Sequence, residues 1–545
     1  MSPKDLHRSK FELRRKFNST IKNAAISLAL MPVGVKKVFA HTPSFSSFGV
    51  RTWKVQPFKL GVASGVPRSN SVLLWTRLIV DPSDYQCSVE TGEPIILRWE
   101  VYGDENLQTP IRSGEELTDQ SRGHSVRVKV EGLTAGTTYW YRFIVGDAVS
   151  DVGRTKTAQE QREMVQAMRF ALASCQNFQA GEYAAYKDML EQDLDFVLFV
   201  GDYIYETNIA ESKSLRMHRG VEPKTLEQYR DRYAQYKEDP LLQAAHARYP
   251  WILMWDDHEV ANDYANDLDP AYTDPQEFLR RRAAAYRAYF EHQPIEIGPQ
   301  IKSSFEATMI LNDSYSWGQL AELWTLDCRQ FRSYHACSAP KNGGGRVLMK
   351  CDELEDKTRT MFGLDQEQWL SRGLKASQKT WKLIAQATQM SSTTISTPVG
   401  TLTYTDAWDG YPQARKRFLE DVHQNRITNV VTLGGDVHMN VAANLRVQPN
   451  DKSSPIVASE FVTTSVTSAG LGKGATGLIK ANNSDILHLQ AQERGYALIS
   501  VTPQDLNCEF RTTTHPAKVD GSFRKQGHYF VDSGKAGVVP VSAVK

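Results

Sequence analysis

Between Phe58 and Thr157, β-rich runs recur at short intervals: Ser71–Leu78, Ile95–Val101, Ser125–Val130 and Tyr139–Val145. Turn formers such as Pro67-Arg68-Ser69-Asn70 and Gly103-Asp104 separate them. This spacing predicts a β-sandwich. Past Met168 the pattern changes to continuous apolar runs, Phe170–Ser174, Phe196–Val200, Trp251–Trp255, Leu383–Gln386 and Val430–Leu433. Runs without alternation fit strands buried on both faces. Helical stretches are predicted between them over Leu226–Ala245 and over Pro275–Glu291, the latter with Phe278, Ala283, Tyr286 and Phe290 on one side. Strands alternating with helices predict layered α/β packing. Gly495–Val501 and Leu506–Arg511 read as a closing β pair.

In the first block, Leu133-Thr-Ala-Gly-Thr-Thr-Tyr139 followed by Tyr141 has the form of the tyrosine corner of fibronectin type III and immunoglobulin-like domains. An N-terminal sandwich of that kind is expected over residues 50–157, with a packing role and no chemistry. A catalytic domain is expected over 165–515 and a tail over 516–545.

Charge is uneven along the chain. Residues 1–40 hold nine Lys/Arg and two acids, and removing them leaves 55 basic and 61 acidic residues, a net of −6. A mildly acidic protein repels polyanions, which argues against a stable nucleic-acid partner. Within those 40 residues, Arg14-Arg15-Lys16-Phe17 precedes a modest apolar stretch, Ala24 to Val35, and then Val38-Phe39-Ala40. This is the order of a twin-arginine signal peptide cut after Ala40, and it predicts the twin-arginine export machinery as a partner. The apolar stretch is too short to span a bilayer and no other segment is apolar enough. Of six cysteines, Cys337 and Cys351 flank Gly343-Gly344-Gly345 and make a plausible loop staple.

The candidate chemistry lies where the buried strands end. Phe170–Ser174 runs into Cys175-Gln176-Asn177, and Phe196–Gly201 into Asp202-Tyr203-Ile204-Tyr205. Trp251–Trp255 runs into Asp256-Asp257-His258-Glu259, and Val430–Gly435 into Asp436-Val437-His438. Ligands bind at this edge of open α/β sheets. Carboxylates packed together repel, and burying them unpaired is costly; bound cations solve both problems. Each segment alone reads equally well as a turn, a cap or a core residue, but four in one domain point to a metal or catalytic cluster.

At these residues the chain resembles the calcineurin-like metallophosphoesterases, with particular departures. Cys175 stands at the first acid, Tyr205 follows the bridging Asp202 by three as in purple acid phosphatases, and Gly435-Asp436-Val437-His438 replaces Gly-His-x-His. Together with Tyr229-Arg230-Asp231-Arg232-Tyr233, Trp255-Asp256-Asp257-His258-Glu259-Val260, Asp327-Cys328-Arg329-Gln330-Phe331-Arg332 and Trp408-Asp409-Gly410-Tyr411-Pro412, these resemble the alkaline phosphatase D (PhoD-like) family from about Phe58 to Thr514. Cys328, where the family usually has Thr, and Asn483-Ser484-Asp485-Ile486 depart from it.

The resemblance implies a four-layer α/β/β/α catalytic domain, a periplasmic, secreted or cell-surface location, and one ferric ion with calcium. It places Cys175, Asp202, Tyr205 and His438 on iron, and Asp202, Asp257 and Asp436 on calcium, with Asn262 and Gln386 as additional oxygen donors. Phosphate monoesters or diesters, including phospholipid or nucleic-acid-derived ones, are the expected substrates, attacked by metal-activated hydroxide or oxide. His258 is expected to protonate the leaving oxygen, or else to steady the site from behind. Arg332 or Arg329 is expected to grip phosphate, with pairing to acids as the more ordinary role. A dedicated, phospholipase D-like phosphodiesterase, a zinc hydrolase and a non-catalytic binding protein are the alternatives.

Overall fold

The computed structural model describes residues 52–80, 94–303, 305–338 and 343–541, so the twin-arginine segment and Cys87 lie outside the described residues. Two large sheets dominate. The first has ten strands in the order Val539–Pro540, Arg524–Asp532, Asp505–Thr514, Glu493–Val501, Met168–Ala173, Phe196–Val200, Pro250–Met254, Val62–Gly65, Ser71–Arg77 and Ser125–Glu131. The second has seven: Asp313–Trp317, Ala321–Thr325, Trp381–Ala385, Val430–Gly434, Ile456–Val462, Asn440–Arg446 and Ile486–Gln490. The centres of both are parallel, with Phe196 opposite Phe170 and Val197 opposite Trp251 in the first, and Leu383 opposite Val431 in the second.

The apolar runs form these central strands because each is covered on both sides. Between the sheets, Phe170, Leu172, Phe196 and Leu198 meet Trp381, Leu383, Val431 and Leu433 in one buried cluster. On the outer face of the first sheet, Ala171, Val197, Phe199 and Trp251 pack against helices carrying Tyr186, Tyr229, Tyr233 and Tyr286. Outside the second, Ile384 and Val430 pack with Leu370, Leu374, Leu419 and Val422 of two further helices. The result is helix, sheet, sheet, helix, as the family resemblance implies.

One predicted helix divides. Leu226–Ala245 is two helices, Leu226–Lys237 and Pro240–Arg248. Pro240 cannot donate to the preceding turn, and it suits the first turn of the next helix. Asp239 caps that helix by accepting from the N–H groups of Leu241 and Leu242 at 3.0 and 3.2 Å. The helix Pro275–His292 begins in the same way, on Asp274.

In the N-terminal block, Val62, Val72, Leu74, Val126 and Val128 face Leu97, Val101, Tyr141 and Phe143 of a five-stranded sheet. Thr134 N–H donates to the Tyr139 hydroxyl at 2.8 Å. The block is not closed off near residue 157, because Gly65 pairs in parallel with Trp251 and so joins the ten-stranded sheet. The described residues between 52 and 541 accordingly belong to one compact unit. Beyond residue 515 the chain stays on the sheet, since Arg524–Asp532 pairs along Asp505–Thr514. The expected staple is present, with the Cys337 and Cys351 Cα atoms 6.0 Å apart. Among the described residues, no helix is long and apolar enough to cross a membrane.

Candidate metal centre

Three of the four ligand-bearing segments leave the first sheet and the fourth leaves the second. They meet because the sheets touch at their C-terminal edges. A Cβ on Gly435 would lie 2.6 Å from Ser174 Oγ and 3.0 Å from Val200 Cγ2, so only glycine allows that approach. Gly201 has φ +115°, and a Cβ there would lie 2.5 Å from that of Asp256. Just beyond, Cys175, Asp202, Asp436 and His438 hold φ of 59°, 58°, 63° and 54°. Four non-glycine residues in the left-handed region at one place mark a backbone held there by its surroundings for function.

Ligand atoms of Cys175, Asp202 and His438 lie within 4.8 Å of one another, as do those of Asp202, Asp257 and His258. Asp202 belongs to both trios, which is the position of a bridge. Tyr205 completes the first: its hydroxyl donates to Asp202 Oδ2 at 2.9 Å and lies 3.1 Å from His438 Nε2. His438 Nδ1 lies 2.8 Å from the Ala469 carbonyl, so Nδ1 carries the proton and Nε2 is left for a ligand. Asp436 stands outside both trios and accepts from Thr388 Oγ1 at 2.6 Å. Asn262 is exposed, its backbone N–H on Glu206 Oε1 at 2.6 Å. Gln386 is committed elsewhere, since its Oε1 accepts from Trp408 Nε1 at 2.9 Å.

Asp202 Oδ1 is buried and has no hydrogen-bond partner. Burial first, then the charges of Asp257, Asp256 and Glu259, push the Asp202 carboxyl well up despite the opposing His258. Burial, helped by Asp202, likewise pushes up the Cys175 thiol and the Tyr205 phenol. Asp436 rises to about 7 through burial and the charge of Asp406. His438 falls to about 3, through burial of its ring and then the charge of Arg494. A thiol, a phenol, carboxylates and an imidazole that all resist ionising side by side fit a bound cation, which would reverse each of these costs.

Residues not anticipated as functional hold the ligands in place. Glu259 gathers the N–H groups of Asp202 and Asp256 at 3.1 and 2.7 Å, and also that of Tyr203. Glu206 holds His258 Nδ1 at 2.6 Å, while the His258 ring lies over that of Tyr205 with centroids 4.0 Å apart. Glu206 closes the Gly201-Asp-Tyr-Ile-Tyr-Glu206 segment, which is the signal that would have found it.

Arg332, expected either to grip phosphate or to pair with acids, is paired with an acid here. It is 1% exposed, donates to Asp406 Oδ1 at 2.9 Å and lies 4.8 Å from the Tyr411 ring centroid. Its neighbour Arg329 is equally buried, forked onto Asp406 at 2.8 and 2.9 Å, bonded to Asp256, and 3.7 Å from Asp257. Both guanidinium groups compensate acids rather than face open space. Cys328 is a core residue beside Met361 and Phe362, and Asp485 pairs with Arg446 at 2.7 Å.

Two facing sheets with acid, imidazole and thiol donors at their joined strand ends define a metal-site hydrolase architecture of the phosphoesterase type. The family model for PhoD-like phosphatase matches residues 170–510, and that for the N-terminal domain of PhoD-like phosphatase matches 44–159. This chain belongs to the PhoD-like phosphatase family. It is 37% identical to alkaline phosphatase D of Bacillus subtilis (strain 168), over 98% of this chain and 90% of that protein. It also superposes on a solved structure of PhoD with a TM-score of 0.84 at 36% identity, covering 91% of this chain and 94% of the other.

Proposed function

We propose that this protein is an exported alkaline phosphatase that hydrolyses phosphate monoesters or diesters at a site holding a ferric ion and calcium. The observation that carries this reading is the buried, partnerless Asp202 Oδ1 at the point shared by the two ligand trios. Cys175, Asp202, Tyr205 and His438 would hold iron, to which thiolate and phenolate are suited. Asp202, Asp257 and Asp436 would hold calcium through hard oxygens, with Asn262 as a further donor. When bound, the ions neutralise charge on the phosphoryl group and make water acidic enough to serve as nucleophile.

The chain's own residues do the rest. His258, fixed at Nδ1 by Glu206, presents Nε2 to give a proton to the leaving oxygen. Glu259 and Glu206 keep the ligand loops rigid, so that substrate meets an arrangement already formed. Arg14-Arg15 supports twin-arginine export to the periplasm or cell surface. The Tyr139 hydroxyl contact supports an immunoglobulin/fibronectin-like sandwich at the N-terminus.

Metal analysis and a visible spectrum of the purified protein, combined with assays on p-nitrophenyl phosphate and bis-p-nitrophenyl phosphate, test this. Iron, calcium and a phenolate-to-iron absorption band are expected. A colourless, fully active preparation refutes the iron assignment, and a fully metal-loaded protein inert on both esters refutes the activity.

A further inference from the structure

The turn Ser465–Ala469 touches three of the four residues placed on iron. Ser468 Oγ donates to the Tyr205 hydroxyl at 2.8 Å and lies 3.0 Å from the Cys175 carbonyl, while the Ala469 carbonyl meets His438 Nδ1 at 2.8 Å. Within the turn, Ser-Val-Thr-Ser-Ala, the Ser465 hydroxyl donates to the Ser468 carbonyl.

The turn is held from behind by Arg494, on the neighbouring strand Glu493–Val501. Arg494 is fully buried. Its Nη1 donates to Ser465 Oγ and to the Ser468 carbonyl, and its Nη2 to the Ala491 carbonyl and, at 3.4 Å, to the His438 carbonyl. Gly470 lets these groups close in, since a Cβ there would lie 2.3 Å from Ala491 O, 2.7 Å from His438 O and 2.8 Å from Arg494 Nη2.

Every one of these acceptors is neutral. The adjacent Glu493 carboxylate turns away, to Thr512 Oγ1 at 2.6 Å, Gln526 Nε2 at 2.9 Å and Arg524. A buried guanidinium without a carboxylate partner is costly, and buried charges are ordinarily paired or tied to a metal site.

We propose that Arg494 is a positioning residue for the iron side of the site: it locks the Ser465–Ala469 turn so that Ser468 bonds the Tyr205 oxygen and Ala469 orients His438. This rests on the metal reading above. It extends that reading to a residue 56 positions from His438 in sequence that touches no substrate.

The test compares wild type with Arg494→Met, Arg494→Lys and Ser468→Ala. It reads the rate at which EDTA removes the bound metals, the visible band and the thermal melt. Loss of a group that orients ligands costs roughly 10–100-fold in metal affinity. Arg494→Met should therefore release metal on the order of 10-fold faster or more. Arg494→Lys should fall between it and wild type. Ser468→Ala should shift the band to longer wavelength with little change in melting, because a hydrogen bond that stabilises the phenolate has been deleted.

A folded Arg494→Met protein with wild-type release rate and band overturns the proposal. So does a variant that melts earlier while both of those readouts stay put, which would be a merely structural role. Should Arg494→Met fail to fold, unchanged release and band in both Arg494→Lys and Ser468→Ala overturn it instead. A colourless wild type defeats the iron reading alone, since the release rates still decide the role of Arg494.

Discussion

The two sides of the candidate centre meet the same difficulty, buried charge, in opposite ways. On the Asp257 side the protein supplies its own cations. Arg329 spans Asp256, Asp257 and Asp406, Arg332 adds to Asp406 at 2.9 Å, and the His335 ring, which burial keeps from charging, lies 2.7 Å from it as a neutral partner. Asp406 and Asp257 are held below the usual carboxylate range, because against burial the charge of Arg329 prevails in both. On the Cys175 side the Arg494 guanidinium bonds only neutral acceptors, the Ser465 hydroxyl and the Ser468, Ala491 and His438 carbonyls. Thiol, phenol and Asp202 are pushed up, and one carboxylate oxygen has no partner. On the first side arginine offsets part of the charge, although Asp256 Oδ2 is buried without a partner, whereas on the second no arginine pairs with the acid, thiol or phenol. A buried ion network and an incipient metal site can look alike in sequence, and what separates them is whether each acid already has a partner.

The sharpest way to break this contrast is Asp202→Asn. It removes the carboxylate proposed as the bridge, and turnover should fall on the order of 1000-fold, about 4 kcal/mol of barrier. Retained kcat on either ester would show that Asp202 is not the bridge. On the paired side the expected loss is in stability. Arg329→Met leaves Asp256 and Asp406 buried with too little positive charge, a defect worth about 3–5 kcal/mol by denaturant titration. A cost below about 1 kcal/mol would mean that the network is not carrying charge compensation.

Glu206→Gln keeps the volume but weakens the hold on His258 Nδ1. We expect kcat lower by roughly 10–100-fold with KM little moved, and equal changes in both constants would point to a binding role instead. The smallest effect concerns pH in protein stripped of metal. The folded Asp436 carboxyl, at about 7, keeps its proton more tightly than the unfolded chain does. Its contribution is therefore present below the ordinary carboxylate value of about 4 and is lost as pH rises through about 7. Metal-free Asp436→Asn should melt level with wild type at low pH and progressively above it as pH rises. A constant difference between the two would rule out Asp436 as the titrating group.

Much of the layered domain was legible because both-face burial leaves a plain mark. The run Phe196–Val200 is a strand with those bounds, and Val430–Leu433 gains only Gly434. Other elements carried no such mark. Pro110–Thr118 is an edge strand, exposed from Pro110 to Ser113 and buried at Thr118. Leu226–Ala245 has continuous helical character on either side of Pro240, so the break depended on one residue's missing N–H. In the site, Cys175, Asp202, Tyr205, Asp257 and His438 could be found because each follows a buried strand directly. Arg494 and Ser468 could not, because an ordinary Arg near the start of a strand and a Ser in a Thr/Ser-rich turn acquire meaning only when distant segments meet.

By itself, then, the sequence determined the strands, the side chains delivered at their ends and the family to which the chain belongs, all of which depend on local periodicity and short spacings. Tertiary structure decided three other matters. It joined the N-terminal block to the catalytic sheet, through the parallel pairing of Gly65 with Trp251. It paired Arg329 and Arg332 with Asp406. It left Asp202 Oδ1 without a partner. Pairing, charge compensation and burial are properties of groups far apart in the chain, and no local pattern encodes which of them will end up face to face.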